Sequence, residues 1–336
     1  MAIQQMLLGV GGGETVADWF ATKTYSGTSS SNSINTGLDM VGKEGIIWTK
    51  ATTGSYAGQI VGSKGSTGGA WNGVLQVNST SGDLDSTTEY LTPTSTGFTA
   101  NYTVGNDAGA DYVAWTFLKA EKFFDIVDYE GNAGGSTNTI YHDLGCLPGM
   151  IIVKKYDTNG TGRNWCVYHK HMDGTNSKDD YMYLNDYANK ATSSQMWANT
   201  DPTTTYFTLD NNDQSNDASR DYVAYLFADD EEYIKCGSYT SAAGVSVDLG
   251  WEPQFLMIKQ ASGTAGSAFS NWFMFDNVRM NGDYNNRLWA NLTDSQDTSG
   301  TYMAFTEDGF TISSGVNGLT NPVSDNYIYM AIRKAA

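Results

Sequence analysis

Proline, cysteine and histidine are scarce in this chain of 336 residues, with five, three and three copies respectively. The cysteines, Cys146, Cys166 and Cys236, are too few and odd in number for a disulfide framework, and each lies in or beside an apolar run. We expect reduced thiols that pack as small hydrophobic side chains. That expectation fits a chain that folds in a reducing cytosol.

Helical patterns are also missing, because no stretch places apolar residues three and four positions apart over several turns. At most one or two helical turns are predicted, over residues 15–20. In place of helix formers the composition offers 21 Tyr, 9 Trp and 13 Phe, together with abundant Thr, Ser, Asn and Gly. These residue types favour strands and turns, so the predicted fold class is all-β.

Positive charge is in short supply: 19 Lys and Arg stand against 37 Asp and Glu, which gives a formal charge of −18. Such a chain repels phosphate backbones and anionic lipid headgroups, so neither nucleic acid nor membrane insertion is expected. No Lys or Arg precedes Lys23, and the first apolar stretch is too short for a signal peptide or a membrane span. Sec-type export is therefore not expected.

What the chain does contain is a threefold internal repeat. Residues 143–154 recur as residues 248–259, and a weaker first copy covers residues 39–50; each copy begins with Asp and ends with Lys eleven positions later. Further landmarks recur around each copy: a Tyr that precedes a turn, a Phe-Thr step, and an Asx-rich approach to a closing aromatic run. Regular spacing of this kind indicates one structural unit written three times.

We therefore predict three tandem β-sandwich domains, of jelly-roll or concanavalin-like type, behind a short N-terminal tether. The predicted division is a tether over 1–13 and repeats over 14–118, 119–228 and 229–336. The runs 151–154 and 256–259, which are apolar up to a final Lys, and the closing run 222–227 are expected to be buried central strands. The charged linkers between repeats are short, so successive domains should touch.

Metal and cofactor sites are not predicted. Asx side chains recur before each closing strand, and their expected role is to form a turn with their own backbone. In the run 210–217, Asp213 and Asp217 are weak candidates for Ca²⁺, but the run lacks the Gly and the bidentate Glu of an EF-hand loop, so a solvated loop is preferred. His169 and His171 have no apparent third ligand.

Catalytic residues are not predicted either, because no carboxyl stands in a clearly apolar setting and no nucleophile elbow, phosphate loop or dinucleotide-binding motif is present. The remaining functional candidates are aromatic. Trp197, Tyr187 and Trp289 lie in polar loops, where a ring can stack on a sugar and so contact a glycan. Core packing is the alternative for each of them.

The motifs occur in a fixed order: Asp-Leu-Gly-x-x-Pro, an apolar run ending in Lys, then Asn-Trp, then Phe-Thr, and finally Asp-Tyr-Val-Ala-Tyr-Leu-Phe-Ala. This order resembles a domain found in tandem in tail-fibre and other virion proteins of bacteriophages, notably marine ones. The resemblance covers most of residues 119–336. The first copy departs from it, with Gly-Lys-Glu at 42–44 where Pro is expected and a longer insertion before Trp71.

The resemblance implies a virion structural protein, made in the host cytoplasm and exposed outside the cell. It would be a tail fibre or tail-associated adhesin; a head or tail decoration or connector protein is the alternative, and a polysaccharide-degrading enzyme a remote one. Met6, Leu7 and Leu8 in the tether would dock into another virion protein. A host-surface glycan would be the ligand, and a homo-oligomer, by analogy with fibres a trimer, would be the assembled state.

Overall fold

The computed structural model describes residues 15–66, 70–83, 88–132, 137–172, 177–263, 270–280, 286–300, 302–320 and 324–335. The predicted tether, with Met6, Leu7 and Leu8, lies outside these ranges. Within them the chain has 24 strands, a 3-10 turn over Val16–Asp18 and one four-residue helix, α1, over Asp213–Asn216. The predicted all-β class is confirmed.

Residues 15–118, 119–228 and 229–335 are named segments 1, 2 and 3. Segment 1 contains β1 (Phe20–Ser26), β2 (Asn32–Asn35), β3 (Gly45–Ala51), β4 (Gln59–Gly62), β5 (Leu75–Gln76), β6 (Leu91–Thr94), β7 (Gly97–Ala100) and β8 (Asp111–Leu118). Segment 2 contains β9 (Phe124–Glu130), β10 (Asn138–Tyr141), β11 (Pro148–Lys155), β12 (Cys166–His169), β13 (Asp180–Tyr183), β14 (Ala191–Thr192), β15 (Tyr206–Leu209) and β16 (Asp221–Ala228). Segment 3 contains β17 (Ile234–Thr240), β18 (Val245–Asp248), β19 (Pro253–Ser262), β20 (Phe273–Asp276), β21 (Leu288–Trp289), β22 (Met303–Thr306), β23 (Gly309–Ile312) and β24 (Asn326–Arg333).

The strands of the three segments pair in closely similar orders. Segment 1 has a larger sheet, β1-β8-β3-β4-β5, and a smaller one, β2-β7-β6. Segment 3 has β17-β24-β19-β20-β21 and β18-β23-β22. Segment 2 has β9-β16-β11-β12-β13-β14 and the two-stranded β10-β15. In each larger sheet the last strand of the segment pairs antiparallel with the first and the third.

The central strands are buried on both faces. Every residue of β3 and β11 is buried, and β19 is buried from Pro253 to Ala261. Apolar runs without a polar alternation are typical of strands covered on both sides. The runs that were predicted as central strands are confirmed, including the closing strand β16, which is buried after its first residue.

The apolar core does not divide into three parts. One cluster takes side chains from all three segments. Three smaller clusters belong to single segments: one to segment 3 and two to segment 1, the lesser of which contains Ala51, Ala110 and Tyr112. At the centre, the ring centroid of Phe117 lies 4.9 Å from that of Phe20, 5.5 Å from that of Phe227 and 6.1 Å from that of Phe255. The three segments therefore surround a shared aromatic centre.

The Asn residues that precede β8 and β16 bond mainly to a distant part of the chain instead of forming the expected turn with their own backbone. Their counterpart in segment 3, Asn321, lies outside the described residues. Asn106 and Asn216 are fully buried. The side chain of Asn106 accepts the N–H of Thr28 at 3.1 Å and donates to the carbonyl of Ser30 at 2.7 Å. Asn216 accepts the N–H of Asn132 at 2.9 Å. Each amide thus ties the approach to the closing strand to the turn that follows the first strand.

Candidate functional site

Trp197 does not present its ring to solvent. It is only 1% exposed, its indole N–H donates to the carbonyl of Asp180 at 2.9 Å, and its ring meets that of Tyr168 edge-on at 5.8 Å. The expected glycan contact at Trp197 is therefore corrected to core packing. The chain turns directly after this residue, where Ala198 and Asn199 adopt positive φ angles of 53° and 47°.

Tyr187 and Trp289 have different surroundings. Tyr187 is 46% exposed, and its carbonyl accepts a hydrogen bond from Nζ of Lys259 at 3.1 Å. Trp289 is partly buried, and the guanidinium of Arg287 lies 5.2 Å from its ring. The same guanidinium lies 3.9 Å from the ring of Tyr302. Of the three aromatic candidates, only Tyr187 is largely open to solvent.

The two calcium candidates are paired with an arginine. Nη2 of Arg163 lies 2.9 Å from a carboxylate oxygen of Asp217 and 3.4 Å from one of Asp213. A guanidinium thus supplies the positive charge near these carboxylates. Across the described part of the chain, no three His, Cys, Asp or Glu side chains are grouped in a way that would hold a metal ion.

Three buried lysines fasten each segment to its neighbour. They are Lys50, Lys154 and Lys259, the residues that end the repeated block, and each is at most 1% exposed. Nζ of Lys154 donates to the carbonyl of Thr80 in segment 1 at 2.9 Å, and Nζ of Lys259 donates to that of Tyr187 in segment 2. Nζ of Lys50, in segment 1, donates to the carbonyl of Leu292 in segment 3 at 2.7 Å, so segments 1 and 3 are also joined. We call the contact region between segments 1 and 2 the 1–2 seam, that between segments 2 and 3 the 2–3 seam, and that between segments 3 and 1 the 3–1 seam.

A backbone hydrogen bond accompanies each lysine. Two residues after the lysine, a carbonyl accepts an N–H from the neighbouring segment, at distances of 2.7, 2.9 and 3.0 Å. The donor and acceptor pairs are Asp83 with Tyr156, Lys190 with Ala261, and Gln296 with Thr52. The same two contacts thus occur at all three seams, and the segments form a closed ring.

Burial sets the protonation of these lysines. It lowers the pKa of Lys154 and Lys259 to about 7 and that of Lys50 to about 8. Each amine bonds to two carbonyls, one across the seam and one within its own segment. Because a neutral amine keeps two N–H donors, both contacts survive loss of the proton.

A buried ion pair lies at the 3–1 seam. The carboxylate of Asp276, which is fully buried, accepts Nε of Arg279 at 2.6 Å and the indole N–H of Trp115 at 3.1 Å. Arg279 is itself only 6% exposed and also donates to the carbonyl of Asn286 and the side-chain oxygen of Gln296. Every polar atom in these contacts is paired, as burial of a charge requires.

A buried histidine lies at the 2–3 seam. Nε2 of His169 is 3.0 Å from the carbonyl of Tyr329, while Nδ1 accepts the N–H of His171 at 3.2 Å. The ring therefore carries its proton on Nε2 and is neutral. Burial lowers the pKa of His169 to about 3.

Acid should weaken the fold through His169. The folded pKa of about 3 lies below the ordinary value of 6.5, so the stability present above pH 6.5 is lost as the pH falls towards 3. Between about pH 6 and pH 4.5, the wild type should lose about 2 kcal/mol more of its unfolding free energy than His169→Gln. Gln can donate to Tyr329 and does not titrate. Urea unfolding across this range measures the difference, and parallel curves would remove His169 as the cause.

Sequence reasoning missed an outward-facing aromatic pair in segment 2. Tyr141 of β10 and Tyr206 of β15 are cross-strand neighbours whose ring centroids are 6.0 Å apart, at an interplanar angle of 66°. Tyr141 is 70% exposed. The equivalent pairs in segments 1 and 3 contain no aromatic residue; they are Asn35 with Gly97 and Asp248 with Gly309.

The described residues include no helix with the length and hydropathy needed to cross a membrane. The chain belongs to the family of the domain of unknown function DUF7483, whose family model matches residues 15–335. The matched region contains all three segments. Comparison with curated proteins finds none that matches the chain.

Proposed function

We propose that this member of the DUF7483 family is a structural protein of a bacteriophage particle, specifically a tail fibre or tail-associated adhesin that contacts the host surface. The observation that carries the proposal is the closed ring of three segments. Buried polar contacts that are fully paired specify one rigid arrangement, which suits a component that must hold its shape on a particle. The motif resemblance supplies the link to phage virions.

In this proposal each segment is a β-sandwich unit of jelly-roll or concanavalin-like type, with boundaries near residues 119 and 229. The larger sheet of each unit faces the shared centre on one side and its own smaller sheet on the other. The fibre-like threefold arrangement is then formed within a single chain. A higher homo-oligomer, if assembled, would use surfaces outside the ring.

The proposed protein is made in the host cytoplasm and is exposed outside the cell as part of the virion. Met6, Leu7 and Leu8 would dock into a neighbouring tail or head protein, and a glycan of the host surface would be the ligand. The proposal includes no catalytic step, no cofactor, no nucleic-acid contact and no membrane insertion.

Purified particles whose genome encodes this chain provide the test. Mass spectrometry should identify its peptides in the particle, and immunogold labelling with an antibody against segment 3 should mark the tail. Labelling of the head instead would favour the decoration or connector role. Particles that lack the chain would refute the virion assignment. Unchanged incorporation after deletion of residues 2–10 would refute docking by the tether.

A further inference from the structure

We propose that Tyr141 and Tyr206 of segment 2 form a binding site for an uncharged polysaccharide, with a hexopyranose ring stacked on the exposed face of Tyr141. This inference rests on the proposed adhesin function, for which it names a site and a ligand class. It moves glycan contact away from Trp197, whose ring is buried, to a pair of residues in the smaller sheet of the same segment.

The pair is held in place before any ligand arrives. The N–H of Thr203 donates to the carbonyl of Tyr206 at 2.8 Å, and the hydroxyl of Thr203 accepts the N–H of Tyr206 at 3.0 Å. Tyr141 pairs with Tyr206 across the two strands. An aromatic residue whose backbone is already fixed loses little conformational entropy on binding.

The size of the apolar surface favours a sugar over a protein partner. A stable protein interface buries about 800 Å² on each side, whereas the outward face here has two tyrosine rings followed by polar Thr139, which is also exposed. Aromatic rings with hydroxyl groups beside them match the mixed apolar and polar surface of a pyranose ring. Two rings are the right size for one or two sugars.

The charge of the chain selects among polysaccharides. A formal charge of −18 repels uronate, sulfate and phosphate groups, so an anionic polymer would meet an unfavourable field. An uncharged hexose polymer does not. The commonest structural role of such a pair, cross-strand packing, would stabilise the sheet but would give no affinity for a polymer.

The test is affinity gel electrophoresis of the full chain in gels that contain a neutral glucan, mannan or galactan, with alginate as the anionic comparison. The variants are Tyr141→Ala, Tyr206→Ala and Tyr141→Phe, the last of which keeps the stacking ring. The matched control is Tyr102→Ala, because Tyr102 is 53% exposed and its ring lies 6.0 Å from that of Tyr90 in segment 1. Thermal unfolding of each variant checks the fold.

At least one neutral polymer should retard the wild type, Tyr141→Phe and Tyr102→Ala, while each Ala change in the pair weakens binding by about tenfold. The site is overturned if no neutral polymer retards the wild type, if Tyr141→Ala binds as well as the wild type, or if Tyr102→Ala loses binding equally. The labelling of particles tests the adhesin function separately. If the chain is present on the tail but none of these polymers retards it, only the glycan site is refuted.

Discussion

Asp276→Ala should lower the free energy of unfolding by about 3 to 5 kcal/mol. The substitution leaves the guanidinium of Arg279 buried without its counter-charge and the indole N–H of Trp115 without its acceptor, and an uncompensated buried charge has a cost of this size. Chemical denaturation followed by tryptophan fluorescence measures it. The free energy of unfolding of Asp276→Asn should lie between those of the wild type and Asp276→Ala, because its amide oxygen can still accept a hydrogen bond.

Two controls define the cause of this loss. The double variant Asp276→Ala with Arg279→Met removes both charges and should be more stable than Asp276→Ala alone. Asp143→Ala breaks the ion pair between Lys119 and Asp143, whose side chain is 85% exposed. This change should alter the free energy of unfolding by less than about 1 kcal/mol. If Asp276→Ala unfolds at the wild-type midpoint, the buried pair does not stabilise the 3–1 seam.

Phe117→Ala should also cost about 3 to 5 kcal/mol, because a fully buried phenylalanine leaves a large cavity when it is truncated. Its location gives a more specific expectation. Since rings from all three segments surround Phe117, the cavity should loosen all three. Hydrogen exchange should therefore rise in β16 and β24 as well as in β8.

Phe98→Ala is the matched control for Phe117→Ala. Phe98 is equally buried, but it belongs to the cluster between the two sheets of segment 1. Its truncation should have a similar energetic cost while raising exchange mainly in β2, β6 and β7. If both variants change exchange only within segment 1, then the shared centre does not couple the segments.

The strands of the central sheets could be predicted from sequence because a strand covered on both faces has a local pattern. The runs 151–154 and 256–259 each consist of three apolar residues and a final Lys and are bounded by turn residues, and the structure confirms both as buried strands. The same pattern does not state what covers each face. In the structure Met257 belongs to the cluster shared by all three segments, whereas Leu256 and Ile258 belong to the cluster of segment 3. That division depends on contacts between residues far apart in the chain.

The lysines show where local patterns stop being informative. The repeated block ends in a lysine in all three copies, at Lys50, Lys154 and Lys259. A charge at the end of an apolar run ordinarily indicates that the strand ends there and that the charge is exposed. Their acceptors are carbonyl groups of another segment, and backbone carbonyls carry no residue-specific signal. Burial of the three lysines therefore could not be predicted.

Of the aromatic candidates, Trp197 is the one whose burial corrects the expectation; glycan contact at Tyr187 and Trp289 stays a prediction. Trp197 has polar neighbours in the sequence, but its partners in the core, the carbonyl of Asp180 and the ring of Tyr168, come from other strands. For Trp289 a signal was present, because Arg287 lies two positions earlier, on the same side of the chain, and arginine stacks on tryptophan. Tyr141 was missed because it ends a strand whose equivalents in the other segments are polar.

Covalent linkage around the ring has an evolutionary consequence. In a ring made of three identical chains, every substitution appears three times, so a residue that helps at one position must be tolerated at the other two. A fused chain removes this coupling, and Tyr141 is an example, since Asn35 and Asp248 occupy its counterparts. Assembly of the fused ring is also unimolecular, so dilution does not dissociate it.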